Sequence, residues 1–89
     1  MSVLMHHRVP GMTPEQYDQV LADVGDAMAA APGFQSHYGV FDEDGVLTVV
    51  EAWDSEDDHN RWYDANIKPH VAPDAPAHEF AQIRGTRLR

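Results

Sequence analysis

The residues with the richest chemistry lie between Glu51 and His70, where a strand end, a helix start and a polar, aromatic helix face follow without a break. Ser55 is typical of an N-cap, because its hydroxyl can accept a hydrogen bond from a free backbone N–H of the first helical turn. The helix face then carries side chains that can stack or form hydrogen bonds, namely His59, Trp62, Tyr63 and Asn66. An ordinary packing face would carry Leu or Val, so this one indicates the wall of a small-molecule pocket. The alternative is that the aromatic residues only cover a sheet, since they dominate small cores.

The chain has six histidines in 89 residues. Histidine has an ordinary pKa near neutrality, which suits it to accept and return protons. Three of the six are candidate catalytic acids or bases: His7 and His37 on predicted strands, and His70 in a proline-rich loop. The alternatives are a buried or interface histidine for His7 and an exposed loop residue for His70, while His59 and His78 are weaker candidates.

The spacing of the polar residues does not support other kinds of site. No two histidines have the spacing that places two ligands on one helix face, and His6 and His7 would point to opposite faces of a strand, so no metal site is predicted. No Gly-rich phosphate loop precedes a helix, and Ser36 lacks the context of a nucleophile elbow. Nucleotide chemistry and Ser-triad hydrolysis are therefore not expected.

Composition limits the partners. With 15 acidic and 6 basic residues the net charge is −9, which repels nucleic-acid phosphates and anionic membranes. No stretch approaches the roughly 20 apolar residues of a membrane span, and the absence of cysteine fits a reducing compartment. We expect a cytoplasmic protein with one domain over residues 1–89, in a size range that buries only about 60–65% of the unfolded chain's surface.

The first half of the chain predicts a strand and a helix. The strand, Val3–Val9, alternates so that Met5 and His7 share one face. Thr13–Gln16 supplies an N-cap, a proline at the first helical position and a capping-box glutamine. An apolar stripe at helical spacing follows: Tyr17, Val20, Leu21, Val24 and Met28.

The second half predicts a hairpin, a second helix and a last strand. Phe34–Phe41 and Val46–Trp53 flank a Gly-containing turn. The second helix is predicted over Ser55–Lys68, because the next residue is a proline, which disfavours helical geometry in the residue before it. After a loop over Val71–Pro76, an alternating strand is predicted within Ala77–Leu88.

The predicted order βαββαβ is that of the ferredoxin-like α+β fold, a four-stranded antiparallel sheet with both helices on one face. The third strand is apolar on both sides, so neither side should be left in water. Several hundred Å² of uncovered apolar surface would forgo several kcal/mol at roughly 25 cal/mol per Å². We therefore expect a homodimer that packs sheet against sheet.

Three sequence stretches resemble the antibiotic biosynthesis monooxygenase family of dimeric α+β barrels. They are G-M-T-x-E-x-Y at Gly11–Tyr17, P-G-F-x-S-H at Pro32–His37, and the segment that joins Trp53 and Ser55 to Trp62. The resemblance covers nearly the whole chain and implies a cavity between the sheet and the helices of each subunit. In cofactor-independent members, oxygenation occurs in that cavity.

The chain also resembles the heme-degrading monooxygenases of the same superfamily. Trp62 matches their helix-two Trp, and His70 lies near the place of their iron-ligating His. His7 and Arg8 stand where those enzymes carry Asn, and the spacing around His70 differs. This resemblance implies heme as a possible cofactor.

These resemblances lead to one main hypothesis and three alternatives. The main one is a cofactor-independent monooxygenase that oxidises an electron-rich aromatic molecule with O₂, with His37 or His7 as general base. The expected substrate contacts are Met5, Tyr38, Trp62, Tyr63 and Asn66. The alternatives are a cofactor-free isomerase, cyclase or lyase, a heme-binding or heme-degrading protein with His70 as ligand, and a non-catalytic dimeric binding module.

Overall fold

The computed structural model describes residues 1–71 and 76–89, except for the side chain of His70. In chain order the elements are β1 (Val3–Val9), α1 (Pro14–Ala29), β2 (Phe34–Phe41), β3 (Leu47–Trp53), α2 (Glu56–Asn66) and β4 (Glu79–Gln82), with a turn of 3-10 helix at Lys68–His70 between α2 and β4. The predicted βαββαβ order and the α+β class are confirmed.

All strand pairs are antiparallel, and the sheet order is β2-β3-β1-β4. Both helices lie on one face of this sheet, the helix-covered face, to which β3 contributes Leu47, Val49, Glu51 and Trp53. Three side chains are almost completely buried there, Leu47 and Trp53 from β3 and Met5 from β1. Two clusters of buried apolar side chains hold the helices, one around Trp53 with Met28 and Trp62, and one around Met5 with Leu47.

The helix starts agree with the sequence. The Thr13 hydroxyl accepts a hydrogen bond from the backbone N–H of Gln16 while the Gln16 side chain accepts one from Thr13, and Ser55 caps α2 through the N–H of Asp58. Each bond satisfies a donor that has no partner within its helix. Local side-chain chemistry therefore fixes where both helices begin.

Three element ends differ from the prediction. β3 begins one residue later because Val46 belongs to the turn, where its N–H donates to the Asp42 carboxylate. α2 ends at Asn66, and the proline shifts the chain into a 3-10 turn. β4 stops at Gln82 because its partner there is Val3, the first residue of β1.

The second sheet face, called the uncovered face below, carries no helix of the described residues. It exposes Leu4, Tyr38 and Val40 by 39%, 62% and 55%, and Val50 lies between them on β3, half-buried. A second copy over this face, as in a dimeric barrel, stays a prediction. None of the helices in the described ranges has the length and apolar content of a transmembrane span.

Candidate functional site

A cavity of about 510 Å³ lies between the helix-covered face of the sheet and the two helices. Its wall is largely apolar, with Met5 and Val49 from the sheet, Leu21 and Val24 from α1, and Trp62 from α2. The volume is in the range of small-molecule sites, which combine an apolar wall with a few convergent polar groups. Two such groups are present.

The first polar group is a chain of hydrogen bonds through Tyr17, His37 and Glu51. The Tyr17 hydroxyl lies 2.7 Å from Nε2 of His37, and Nδ1 of the same imidazole lies 2.7 Å from a carboxylate oxygen of Glu51. The other oxygen of Glu51 accepts a hydrogen bond from the indole N–H of Trp53 at 2.9 Å. Three elements, α1, β2 and β3, thus hold one imidazole at both of its nitrogens.

An irregularity in β2 turns His37 toward the cavity. Phe34 pairs with Trp53, but Ser36 pairs with Ala52, so Gln35 forms a bulge. In a regular strand Phe34 and His37 would point to opposite faces. With the extra residue both point to the helix-covered face, one into the core and one into the cavity.

Gly39 gives the Tyr17 phenol room to reach His37. It lies opposite Val49 in the sheet, and a Cβ added at Gly39 would overlap the ring and hydroxyl of Tyr17. Its own backbone φ is not positive, so the glycine is needed for space rather than for conformation.

Burial and hydrogen bonding compete at Glu51, which is only 4% exposed. Burial by itself raises the pKa of this carboxyl, but the hydrogen bonds from His37 and Trp53 outweigh it and hold the pKa below its ordinary value. At neutral pH Glu51 is therefore ionised and only accepts, so Nδ1 of His37 carries the proton. Nε2 of a neutral His37 is then the acceptor for the Tyr17 hydroxyl, whose own pKa is raised by burial and by Glu51.

The second polar group is a cluster of rings, the imidazole cluster, made of His7, His59, His78 and Tyr63. The ring centres of His7 and His78 are 4.0 Å apart, and those of His59 and His78 are 5.1 Å apart. Tyr63 lies 4.4 Å from His78 and stacks on His59 at 5.5 Å. Burial lowers the pKa of His7, and burial with the neighbouring imidazoles lowers that of His78 to about 4. Both rings are therefore uncharged at neutral pH.

Five of the predicted site residues line the cavity: Met5, His7, His37, Trp62 and Tyr63. Tyr38 does not. It neighbours His37 in β2 and therefore points to the uncovered face, where it is 62% exposed. Its predicted position in the pocket wall is wrong for that reason.

Asn66 also lies outside the cavity lining. As the last residue of α2 it is exposed, and its side-chain amide donates to the backbone carbonyl of Trp62 at 2.9 Å. This bond turns the amide back along the helix rather than into the cavity. The side chain of His70 lies outside the described residues.

Sequence reasoning missed Tyr17 and Glu51 as site residues. Tyr17 was read as part of an apolar stripe. Glu51 alternates with Val49 and Trp53 on the buried side of β3, and a carboxylate in such a position must have partners, because an unpaired buried charge is costly. That pattern was the available signal. His59 and His78, the weaker histidine candidates, both line the cavity.

Within the described ranges, no group of three or more His, Asp or Glu side chains is arranged to hold a metal ion. The site instead combines an oriented imidazole, a phenol and a buried carboxylate with uncharged imidazoles and an apolar wall. Such a site can bind a flat organic molecule, shield it from water and transfer a proton.

Several solved structures resemble this fold over nearly the whole chain. The heme-degrading protein Rv3592 from Mycobacterium tuberculosis has a TM-score of 0.70 at 20% identity, covering 99% of this chain and 100% of that one. SnoaB, a cofactor-independent oxygenase from Streptomyces nogalater, has a TM-score of 0.65 at 17% identity, covering 96% and 95%. The monooxygenase ActVA-Orf6 of Streptomyces coelicolor, solved with nanaomycin D, has a TM-score of 0.65 at 20% identity, covering 99% and 91%.

No protein-family model and no curated protein matches the sequence. At 20% identity or less, the likeness to these structures is one of fold, and a shared fold does not determine the reaction. The chain has the fold that the sequence resemblance implied, the fold of these oxygenases and of this heme-degrading protein.

Proposed function

We propose that the protein is a cofactor-independent monooxygenase of the antibiotic biosynthesis monooxygenase family, which oxidises an electron-rich phenolic molecule with O₂. The observation that supports this most directly is the hydrogen-bonded pair of half-buried His37 and buried Glu51, joined to Tyr17 at the wall of an apolar cavity. An imidazole held by a carboxylate is a general base with a fixed tautomer. The fold shared with two oxygenases is consistent with the proposal.

In the proposed reaction the substrate supplies the electrons. His37 accepts the proton of the Tyr17 hydroxyl as Tyr17 takes the proton of the substrate hydroxyl, and the resulting anion transfers an electron to O₂. Recombination of the two radicals forms a C–O bond to a peroxide. The O–O bond then breaks as the same carbon loses its remaining hydrogen as a proton, and His37 returns its proton to the leaving hydroxide. The substrate loses two hydrogens, one from its hydroxyl and one from the reacting carbon, which correspond to a CH₂ group in the keto tautomer. The balance is therefore CH₂ + O₂ → C=O + H₂O.

His37 is favoured over His7 as the base. Glu51 orients His37 through a hydrogen bond, whereas His7 has no hydrogen bond to a carboxylate among the described residues, and burial lowers its pKa. A general base must be held in position to accept the proton, and only the paired imidazole is held in this way.

The test measures O₂ uptake by metal-free protein with a panel of anthrones and naphthols, for the wild type, His37→Gln and His6→Gln. His6 lies on the uncovered face next to Glu79 and is the control. Because general-base catalysis contributes about 10²–10⁴-fold, His37→Gln should lower kcat/KM at least about 100-fold, and His6→Gln should leave it nearly unchanged. Tight binding of a phenol without O₂ uptake would contradict the proposal. Turnover under anaerobic conditions would instead indicate an isomerase, cyclase or lyase.

Heme binding is a second candidate, favoured by one observation. Heme iron is ligated by a neutral imidazole, and the uncharged His7 and His78 line the cavity. His37 does not fit, because both of its nitrogens are engaged. A Soret band on titration with heme, lost in His7→Ala or His78→Ala, would support this function, and an unchanged spectrum would exclude it.

A further inference from the structure

The imidazole cluster has no part in the proposed proton transfer, although it forms a wall of the same cavity. His7 belongs to β1, His78 immediately precedes β4, and His59 and Tyr63 belong to α2. Three elements thus bring four polar rings to one place with centres 4.0 to 5.5 Å apart. Polar rings in a cavity wall have their hydrogen-bonding groups satisfied by the wall, by water or by a ligand that displaces the water.

Other protein groups satisfy only part of the hydrogen-bonding capacity of these rings. Nδ1 of His59 lies 2.9 Å from the side-chain oxygen of Asn60. Among the described residues, the imidazoles of His7 and His78 form no hydrogen bond with another protein group. Nε1 of Trp62 is the one buried side-chain polar atom found there without a partner, so the nitrogens of His7 and His78 are not buried. Their nitrogens therefore remain accessible to a ligand. A neutral imidazole offers one donor and one acceptor, which suits a carbonyl or hydroxyl oxygen.

The cluster and His37 lie on the same face of the sheet but toward opposite edges. His37 is on β2 and His78 leads into β4, which are separated by β3 and β1. Neighbouring strands are about 4.8 Å apart, so three steps place the two backbones about 14 Å apart. After allowing for the side chains, a flat molecule of two or three fused rings can bridge them.

The charges around the cavity disfavour an anionic ligand. Glu51 is ionised and buried. Arg8 reaches the rim of the cavity, but its guanidinium group lies 3.4 Å from the Asp42 carboxylate and is 60% exposed. Within the described ranges, no other Lys or Arg side chain contributes to the lining. A ligand carboxylate inside the cavity would therefore lose its hydration without gaining a cation.

We propose that the imidazole cluster is a second polar subsite, which binds an uncharged carbonyl or hydroxyl oxygen at one end of a flat fused-ring substrate whose other end lies against Tyr17 and His37. The same cavity discriminates against substrates that carry a carboxylate at that end. The inference rests on the proposed function for the identity of the reacting end, but it concerns binding and is tested without turnover.

The test is equilibrium binding in anaerobic buffer at pH 7.5, followed by tryptophan fluorescence and confirmed by calorimetry. The three ligands share one ring system: 2-naphthol, 2,6-dihydroxynaphthalene and 6-hydroxy-2-naphthoate. The wild type should bind the diol about tenfold more tightly than 2-naphthol, the effect of one well-placed hydrogen bond. The naphthoate should bind at least about tenfold more weakly than the diol.

Three variants assign the preference to the cluster. His78→Phe should bind the diol no better than 2-naphthol, while its unchanged affinity for 2-naphthol shows that the cavity is intact. His78→Gln, which keeps a donor and an acceptor, should retain most of the preference, and His6→Phe should bind all three ligands like the wild type.

Equal binding of the diol and 2-naphthol by the wild type would overturn the proposal. A preference that survives in both His78→Phe and His7→Phe, or tightest binding of the naphthoate, would do the same. The O₂-uptake test with His37→Gln is independent of these results, so either proposal can fail without the other.

Discussion

Glu51 fixes the tautomer of His37 by accepting the hydrogen bond from Nδ1. Its carboxylate accepts hydrogen bonds from His37 and Trp53 and is almost fully buried. A buried charge is tolerated when it is paired and hydrogen-bonded. Trp53 thus has two roles, since it fills the core and also holds the second carboxylate oxygen.

We expect Glu51→Gln to impair catalysis more than folding. The amide is uncharged and no longer fixes the tautomer of His37, so kcat/KM with a phenolic substrate should fall at least about 100-fold. The measurement is kcat/KM from O₂ uptake.

The protein contains a matched control for this substitution. Glu79 lies 3.8 Å from His6 in an exposed pair on the uncovered face, where an ion pair contributes little. Glu79→Gln should leave kcat/KM nearly unchanged. A Glu51→Gln variant with wild-type activity would remove Glu51 from the mechanism.

Gly39→Ala should act by displacing Tyr17. The added methyl group would overlap the phenol ring, so Tyr17 must leave His37, and kcat/KM should fall to the level of Tyr17→Phe. The double variant should be no worse than either single one, because both changes remove the same hydrogen bond. Gly85→Ala, with open space at its Cβ position, is the control. Additive losses in the double variant would show that Gly39 acts by another route.

At the scale of the elements, glycine at the start of β2 couples this strand to α2. Gly33 has φ +86°, and a Cβ there would overlap the carboxylate of Asp58 in the first turn of α2. Gly45, in the β2–β3 turn, has φ +78° but open space around it. The two positions share the left-handed conformation and differ in packing.

We expect Gly33→Ala to destabilise the protein more than Gly45→Ala. A left-handed alanine costs about 1–2 kcal/mol at both positions, and overpacking adds about 1–3 kcal/mol at Gly33. Urea unfolding monitored by circular dichroism should therefore give a free energy of unfolding lower by about 2–5 kcal/mol for Gly33→Ala and about 1–2 kcal/mol for Gly45→Ala. Equal losses would show that Asp58 moves aside freely.

Most of the element order was predictable because its signals are local. Caps at Thr13 and Ser55 mark the helix starts, and alternation identifies the strands. The bulge at Gln35 has no comparable local signal, since it depends on how β2 packs against β3. This one residue decides which face His37 takes.

The candidate site was predictable in part for the same reason. Alternation in β1 places Met5 and His7 on the helix-covered face, as predicted. The same alternation in β2 places the neighbours His37 and Tyr38 on opposite faces, so the two cannot share a pocket. The partners of His37 come from α1 and β3 and are distant in sequence. A single sequence gives no direct evidence for such a contact, so the hydrogen-bond chain had to be seen in three dimensions.

At the scale of the whole molecule, the uncovered sheet face exposes apolar side chains that pack against no helix in the described part of the chain. Leu4, Tyr38 and Val40 expose much of their area there, and apolar patches of this kind mark interaction sites in small domains. We propose that a second copy of the chain covers this face. The cavity lies on the opposite side of the sheet, so the dimer would support the site without closing it.

Val40→Lys should therefore produce a monomer. A lysine at this position would place an ammonium group within the proposed contact, and an unpaired buried charge costs several kcal/mol. Ala22→Lys adds the same charge at an exposed position of α1 and should leave the assembly unchanged. Sedimentation equilibrium at micromolar concentration should give twice the chain mass for the wild type and Ala22→Lys, and the chain mass for Val40→Lys. A monomeric wild type would show that water, rather than a second sheet, covers Leu4, Tyr38 and Val40.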